Sequence, residues 1–240
     1  MKVKLLNKER AKDLFKDWGE FAKVCYDTKT DTPEKIGKHC KKSGHNSGSR
    51  SNYIVFRVDE VPRFLIDQSV RAEIGVCKNV QSFRYVNKNS FAYEIPSEIL
   101  DNEELLARYH EHMMRTIELY EDIQTYVKDK TGSNERANEQ ARYVLPMATH
   151  SSYVIGFTVE ALIHYMHIRL CVRTEDVHRK LAIAMKKEIL EVLPELKNDL
   201  VPQCQYLLWC PENKKNCAYP RKEELIEILK EARASKKDSE

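Results

Sequence analysis

The sequence predicts a mixed α/β domain of the α+β kind, in which a small sheet is wrapped by long helices. Two observations lead to this class: apolar residues recur at helical spacing through most of the chain, and residues 53–58 alternate as a strand does. The 240 residues are 42% hydrophobic and 32% charged, which is the balance of a globular domain with a sizeable core. A largely disordered chain is therefore excluded.

The first half of the chain is predicted to place its strand between short helices. Pro33 suits the start of one helix, and Gly75 suits a left-handed residue at the end of another. In chain order, we predict a helix at 8–26, a helix at 33–42, a polar loop at 43–52, the strand at 53–58, a helix at 61–73 and a loop or short strand at 80–86.

The second half is predicted to be mainly helical, with a break at 130–134 and a tail at 201–220 before the last helix. Asp101 and Glu104 have the spacing of a capping box for the longest helix. Pro194 interrupts the pattern near the end of a later helix. In chain order, we predict helices at 97–130, 135–149, 153–169, 174–193 and 221–236.

Charge and composition limit the classes of partner. The net charge is only +3, from 40 basic and 37 acidic residues, so we expect no nucleic-acid partner. Eighteen consecutive apolar residues do not occur, and the amino terminus lacks the apolar stretch of a signal peptide, so we expect no membrane partner and a cytoplasmic location. Glycine-rich nucleotide loops are absent from the sequence.

Cysteine and histidine spacing leaves metal binding open. Cys204, Cys210 and Cys217 form a C-x5-C-x6-C pattern, which is either a zinc site of unusual spacing or a set of free thiols. His164 and His167, three apart on a predicted helix, could reach one metal or could be satisfied by hydrogen bonds. Free thiols and no metal are the expectation.

Four arginines lie in sequence contexts that suit either an anion-binding site or a structural salt bridge. Two of them, Arg142 and Arg169, stand in apolar runs, where an unpaired charge would be costly. A guanidinium can grip phosphate through two parallel hydrogen bonds. The other two are Arg71 and Arg84.

Five segments in order carry a resemblance to a known family. They are GHNS from residue 44, FLIDQSVR from 64, NVQSFRYV from 79, ARYVLPMATHSSY from 141 and LIHYMHIRL from 162. Together they resemble the flavin-dependent thymidylate synthase family over roughly residues 20–200. We therefore expect a catalytic, nucleotide-binding domain at 1–200, and a cysteine-containing extension with a charged helix at 201–240.

The resemblance implies a fold, a reaction and an assembly. The fold would be that of the thymidylate synthase-complementing proteins, in a homotetramer with active sites between subunits. The reaction would convert dUMP to dTMP, with carbon from methylenetetrahydrofolate and hydride from FAD reduced by NADPH.

The resemblance also assigns nucleotide-binding residues. Arg169 would lie beside the pyrimidine ring and stabilise negative charge there, and Ser82 would bind and polarise rather than act as a covalent nucleophile. These two are the catalytic candidates. The implied nucleotide-binding set is Gln68, Arg71, Ser82, Arg84, Arg142 and Arg169.

The flavin side departs from the family pattern. The family's Arg-His-Arg triplet stands here as Arg71-Ala72-Glu73, so a carboxylate replaces a cation and the local charge changes by two units. Arg50 and Ser51 replace a Glu-His pair. The positions implied for the cofactor are His45, Ser47, Arg71, Asn79, Thr158 and His164.

Three functions follow from this uneven pattern. The first is a working flavin-dependent thymidylate synthase. The second is an enzyme of the same fold that modifies a pyrimidine nucleotide with another cofactor or another one-carbon group. The third is a non-catalytic nucleotide-binding or assembly subunit.

Overall fold

A computed structural model describes residues 1–27, 29, 31–212 and 217–237 of the chain. Its four described strands are β1 (Lys2–Leu5), β2 (Tyr53–Pro62), β3 (Val76–Val80) and β4 (His150–Thr158), and they form one sheet in the order β1-β2-β4-β3. This confirms the predicted class, a small sheet accompanied by many helices.

The strands pair in antiparallel fashion, as β3 and β4 illustrate. Gln81 donates its N–H to the carbonyl of Ser152 at 2.9 Å, and Thr158 donates to the carbonyl of Gly75 at 2.7 Å. Residue numbers rise along one strand as they fall along the other, which is the antiparallel register.

Helices make up most of the described chain. Their bounds are α1 Lys8–Lys12, α2 Leu14–Tyr26, α3 Pro33–Lys42, α4 Arg63–Ser69, α5 Glu103–Thr131, α6 Asn134–Ala141, α7 Val159–Arg169, α8 Asp176–Leu190, α9 Gln203–Leu207 and α10 Lys222–Lys237. Short 3-10 turns occur at Asn46–Arg50, Ser97–Ile99, Arg142–Val144 and Pro194–Leu196. Within the described residues, no helix combines the length and the apolar character that crossing a membrane would need.

The chain divides into two compact units. The first unit comprises Met1–Lys2, Arg57–Arg71 and Lys78–Ile155. Its longest helix, α5, buries Tyr120 completely, and the Tyr120 hydroxyl accepts the N–H of Lys88 at 3.2 Å. This hydrogen bond joins the helix to the loop that follows β3.

The second unit comprises Val3–Phe56, Ala72–Cys77 and the described residues from Gly156 onward. Helices α2 and α3 approach so closely here that the residue of each helix at the crossing has no room for a Cβ atom. A Cβ at Gly19 would lie 1.7 Å from the carbonyl oxygen of Pro33, and one at Gly37 would lie 1.9 Å from that of Phe15. The two glycines thus allow backbone to pack directly on backbone.

Strand β4 corrects the largest error of the sequence prediction, which placed a helix over 153–169. Tyr153, Ile155 and Phe157 are all buried, and they recur at every second position. A strand sends such positions to one face, whereas a helix would spread them around its circumference. Helix α7 begins only at Val159.

Two predicted helices are shorter than expected. The helix expected at 135–149 ends at Ala141, and Leu145 is extended because Pro146 disfavours helical backbone before it. The helix expected at 61–73 occupies only Arg63–Ser69. Gly75 is left-handed as predicted, with φ +71°, but it lies in the connection to β3 and does not end a helix.

Two details of helix termini also differ. Residues 8–26 form two helices that meet at Asp13, not one. The capping box predicted at Asp101 and Glu104 is wrong, because the cap of α5 is Asn102, whose Oδ1 accepts the N–H of Leu105 at 3.0 Å.

Candidate active site

A turn after β3 in the first unit presents two of the predicted nucleotide-binding residues together. The N–H groups of Tyr85 and Val86 both reach the carbonyl of Ser82 at 3.2 Å, and the N–H of Arg84 reaches its hydroxyl at 3.3 Å. Residues 82–86, the 82–86 turn, therefore wrap around Ser82. A half-buried hydroxyl and a guanidinium two residues apart suit the recognition of an oxyanion.

Helix α6 contacts both the guanidinium and the main-chain carbonyl of Arg84. Arg84 Nη2 donates to Glu135 Oε1 at 2.7 Å, and Nε lies 3.4 Å from Glu139 Oε1. The Arg84 carbonyl accepts the side-chain amide of Asn138 at 3.1 Å. The sequence analysis missed these partners; only the i, i+3, i+4 spacing of the three α6 residues gave a signal.

Lys88 ties the segment that follows this turn to its surroundings. Its Nζ donates to Gln81 Oε1 at 2.9 Å and to the carbonyl of His150 at 3.0 Å, and it lies 4.7 Å from the ring centroid of Phe83. Burial lowers the pKa of the Lys88 ammonium. The sequence analysis did not select this residue.

The remaining first-unit candidates lie at helix ends and in β3. Gln68 is half-buried in the last turn of α4, and Arg71 is exposed just beyond it. Arg142 opens the 3-10 turn after α6 and is half-buried, with no ion pair among the described residues. Asn79 is exposed in β3.

Arg169 lies at the end of α7 in the second unit, beside a buried neutral histidine. Tyr165 of α7 and Nε2 of His178 of α8 are 2.7 Å apart, and both residues are buried. Burial first, and the charge of Arg169 second, lower the pKa of His178 to about 3. His178 is therefore neutral at pH 7, and the positive charge beside it belongs to Arg169.

His45 and Ser47 are exposed at the 3-10 turn Asn46–Arg50. The carbonyl of His45 accepts the indole N–H of Trp18 at 3.1 Å, which fixes the turn against α2. Beside this turn is a pocket of about 230 Å³ with an aromatic wall and a polar rim. Its lining residues are Trp18, Phe21, Ala22, Cys25, Tyr26, Cys40, His45, Asn46, Ser47 and Gly48.

Thr158 and His164 have different surroundings on α7. Thr158 is 7% exposed, and its hydroxyl caps the helix by accepting the N–H of Ala161 at 3.2 Å. His164 is exposed. Next to the cap, Arg50 grips Glu160 with two hydrogen bonds of 2.8 and 3.0 Å, a pair that the sequence analysis did not anticipate.

The cysteine-containing extension begins with α9 and returns to the end of α7. Burial, with the thiols of Cys171, Cys210 and Cys217 nearby, raises the pKa of Cys204. His167 lies 4.7 Å from the Tyr206 ring and contacts the carbonyl of Asp199 at 3.1 Å. In the described part of the chain, no group of three or more His, Cys, Asp or Glu residues could hold a metal ion.

Comparison with known proteins identifies the class. The model of the thymidylate synthase complementing protein family matches residues 5–195. The chain therefore belongs to the thymidylate synthase complementing protein family, and the resemblance and fold read from the sequence are confirmed.

Particular relatives share one name, flavin-dependent thymidylate synthase. The protein from Nitratidesulfovibrio vulgaris is 34% identical over 174 residues, which cover 72% of this chain and 71% of that protein. The protein from Clostridium tetani is 29% identical over 235 residues, covering 90% and 93%. The protein from Thermococcus onnurineus is 28% identical over 228 residues, covering 88% and 89%.

Proposed function

We propose that this chain is a flavin-dependent thymidylate synthase, which converts dUMP to dTMP with methylenetetrahydrofolate as carbon donor and NADPH as reductant. The family match over residues 5–195 and the names of the relatives support the reaction. The observation that carries the assignment to this chain is the 82–86 turn, which presents Ser82 and Arg84 together as an oxyanion site.

The first unit supplies the contacts to the nucleotide. Arg84 offers a planar fork of N–H donors to the phosphate, and Ser82 adds a hydroxyl. Gln68, Arg71 and Arg142 complete the set that the family resemblance assigns. Arg142 is suited to an anion because no described carboxylate pairs with it.

Arg169, in the second unit, supplies a positive charge for the pyrimidine ring of the nucleotide. Arg169 stabilises the negative charge that develops when the pyrimidine is attacked, which is an interaction stronger in the transition state than in the ground state. The neighbouring His178 stays neutral, so it neither repels the guanidinium nor exchanges protons with the ring at pH 7.

The residues near the 3-10 turn fit a flavin. The aromatic wall of the 230 Å³ pocket suits one planar ring system, and the exposed polar groups of His45, Asn46 and Ser47 offer hydrogen bonds at its rim. Bound flavin would supply hydride transfer. The family resemblance also assigns Arg71, Asn79 and His164 to the cofactor.

A homotetramer with active sites between subunits completes the proposal. In such an assembly, each active site takes residues from more than one copy of the chain. Helix α5 supports assembly because it exposes large apolar side chains along its length: Leu105, Met114, Leu119 and Tyr126.

The test is a visible absorption spectrum of the purified protein after FAD addition and desalting, followed by an assay of dTMP formation from dUMP. A retained flavin band with dTMP formed is the expected result. dUMP binding without flavin would favour a different cofactor on the same fold. Nucleotide binding with no turnover under any reductant would favour a non-catalytic subunit.

A further inference from the structure

Helix α6 grips Arg84 from two sides. On one side, Asn138 Nδ2 donates to the Arg84 carbonyl at 3.1 Å. On the other side, Glu135 and Glu139 approach the guanidinium at 2.7 and 3.4 Å. The three α6 residues fall on one helix face. The main chain and the charged end of Arg84 are thus both fixed by α6.

The amide of Asn138 has only one orientation that satisfies its neighbours. Asn138 is 5% exposed, and its Oδ1 accepts from Gln124 Nε2 of α5 at 2.6 Å. The amide nitrogen must therefore point at the Arg84 carbonyl, because a carbonyl can only accept. The hydrogen bonds from Gln124 to Asn138 and from Asn138 to Arg84 therefore connect α5 to the 82–86 turn.

The two carboxylates orient the guanidinium. Nη2 donates to Glu135, and Nε lies 3.4 Å from Glu139 without a hydrogen bond. The two N–H groups of Nη1 and the second N–H of Nη2 are then the donors that remain for a ligand. That edge is a fork matched to two phosphate oxygens. These ion pairs are partly exposed and contribute little free energy, so the buried Asn138 amide is the stronger of the two restraints.

We infer that Asn138 is a positioning residue for recognition of the nucleotide phosphate, acting through the main chain of Arg84. The inference rests on the proposed function for the identity of the ligand. Asn138 does not contact the ligand itself. It holds the 82–86 turn so that the Ser82 hydroxyl and the Arg84 fork reach the same phosphate, and misplacement of that turn weakens phosphate contacts before any others.

The test compares dUMP with 2′-deoxyuridine, which lacks the phosphate, as ligands of the full chain measured by calorimetry. Asn138→Leu removes both hydrogen bonds at nearly constant volume. We expect the Kd and KM for dUMP to rise about tenfold, the loss of one or two net hydrogen bonds. The Kd for deoxyuridine and kcat should stay within about twofold.

Two further variants separate positioning from general stability. Asn138→Ala cannot donate to Arg84 and adds no charge near the phosphate, so it should weaken dUMP binding as Asn138→Leu does. Gln140→Leu changes an exposed residue of the same helix, and it should leave the Kd for dUMP and the Kd for deoxyuridine unchanged.

Equal weakening of dUMP and deoxyuridine, or unchanged dUMP binding in folded Asn138→Leu protein, overturns the inference. If Asn138→Leu fails to fold, the ratio of dUMP affinity to deoxyuridine affinity in Asn138→Ala decides it. Absence of dTMP formation by the wild-type chain would count against the proposed function alone, because the binding ratio needs no turnover. Absence of dUMP binding by the wild-type chain would overturn the inference as well.

Discussion

His178 should make stability depend on pH. Its pKa is lowered to about 3 in the folded chain, mainly by burial, against an ordinary value of 6.5. Between these values the unfolded chain binds a proton that the folded chain does not, so stability is fully present above pH 6.5 and is lost as the pH falls. The loss should reach about 5 kcal/mol once the pH has fallen below about 3. Urea unfolding at several pH values measures it.

A paired variant isolates this histidine. His178→Gln keeps an acceptor for Tyr165 but has no group that titrates in this range, so the slope of unfolding free energy against pH should flatten below pH 6.5. His112, exposed on α5, is the matched control, and His112→Gln should leave the slope unchanged. An identical slope in both variants would mean that other groups carry the pH dependence.

Glu73 should weaken the binding of FAD. It is an exposed carboxylate in the connection before β3, and the family resemblance predicts a cation at this position. Replacing Ala72 with His and Glu73 with Arg changes the local charge by two units in favour of a pyrophosphate. FAD affinity, followed by flavin fluorescence quenching, should rise by about tenfold or more at low salt. No gain would place this loop away from the flavin.

The cap of α5 offers a direct comparison between sequence and structure. Asn102 accepts the N–H of Leu105, whereas Asp101 has no such bond. Asn102→Ala should therefore lower the free energy of unfolding by about 1 kcal/mol, and Asp101→Ala by less than about 0.5 kcal/mol. Thermal and urea unfolding of the two variants measures both. The reverse order would restore the predicted capping box.

Amphipathic helices were the predictable elements. The helices α3 and α10 match their predicted ranges within one residue. In α3, the buried positions Gly37 and Cys40 recur with the helical period. The second half of strand β4 was not predictable in this way: its burial alternates from His150 to Ile155, but all four positions from Ile155 to Thr158 are buried. A run buried on both faces loses its alternation, and periodicity then cannot distinguish strand from helix.

The sequence contexts of Arg84 and Arg142 selected them as candidates, and their role in nucleotide binding stays a prediction. The partners of Arg84 could not be predicted. Glu135 and Asn138 lie more than fifty residues from Arg84, and no local pattern encodes which carboxylate or amide meets a given arginine. Such long-range pairs arise only when the elements pack.

Assembly is the property of the whole chain that is easiest to measure. We expect light scattering to give a mass of about four times 28.1 kDa. Met114→Glu, on the exposed apolar side of α5, should shift the mass towards smaller species because a charge buried at an interface is costly. Arg115→Glu, an exposed neighbour already charged, is the matched control. A wild-type monomer would remove the tetramer from the proposal.

The crossing of α2 and α3 has a consequence for the adjoining pocket. Gly19 and Gly37 bring backbone onto backbone, and Trp18 and Cys40, neighbours on the same two helices, line the pocket beside the 3-10 turn. Side chains can change rotamer to admit a larger guest, but two touching main chains have nothing to rotate. Any side chain introduced at Gly19 or Gly37 would therefore force the two helices apart, and the pocket that Trp18 and Cys40 line would change shape with them.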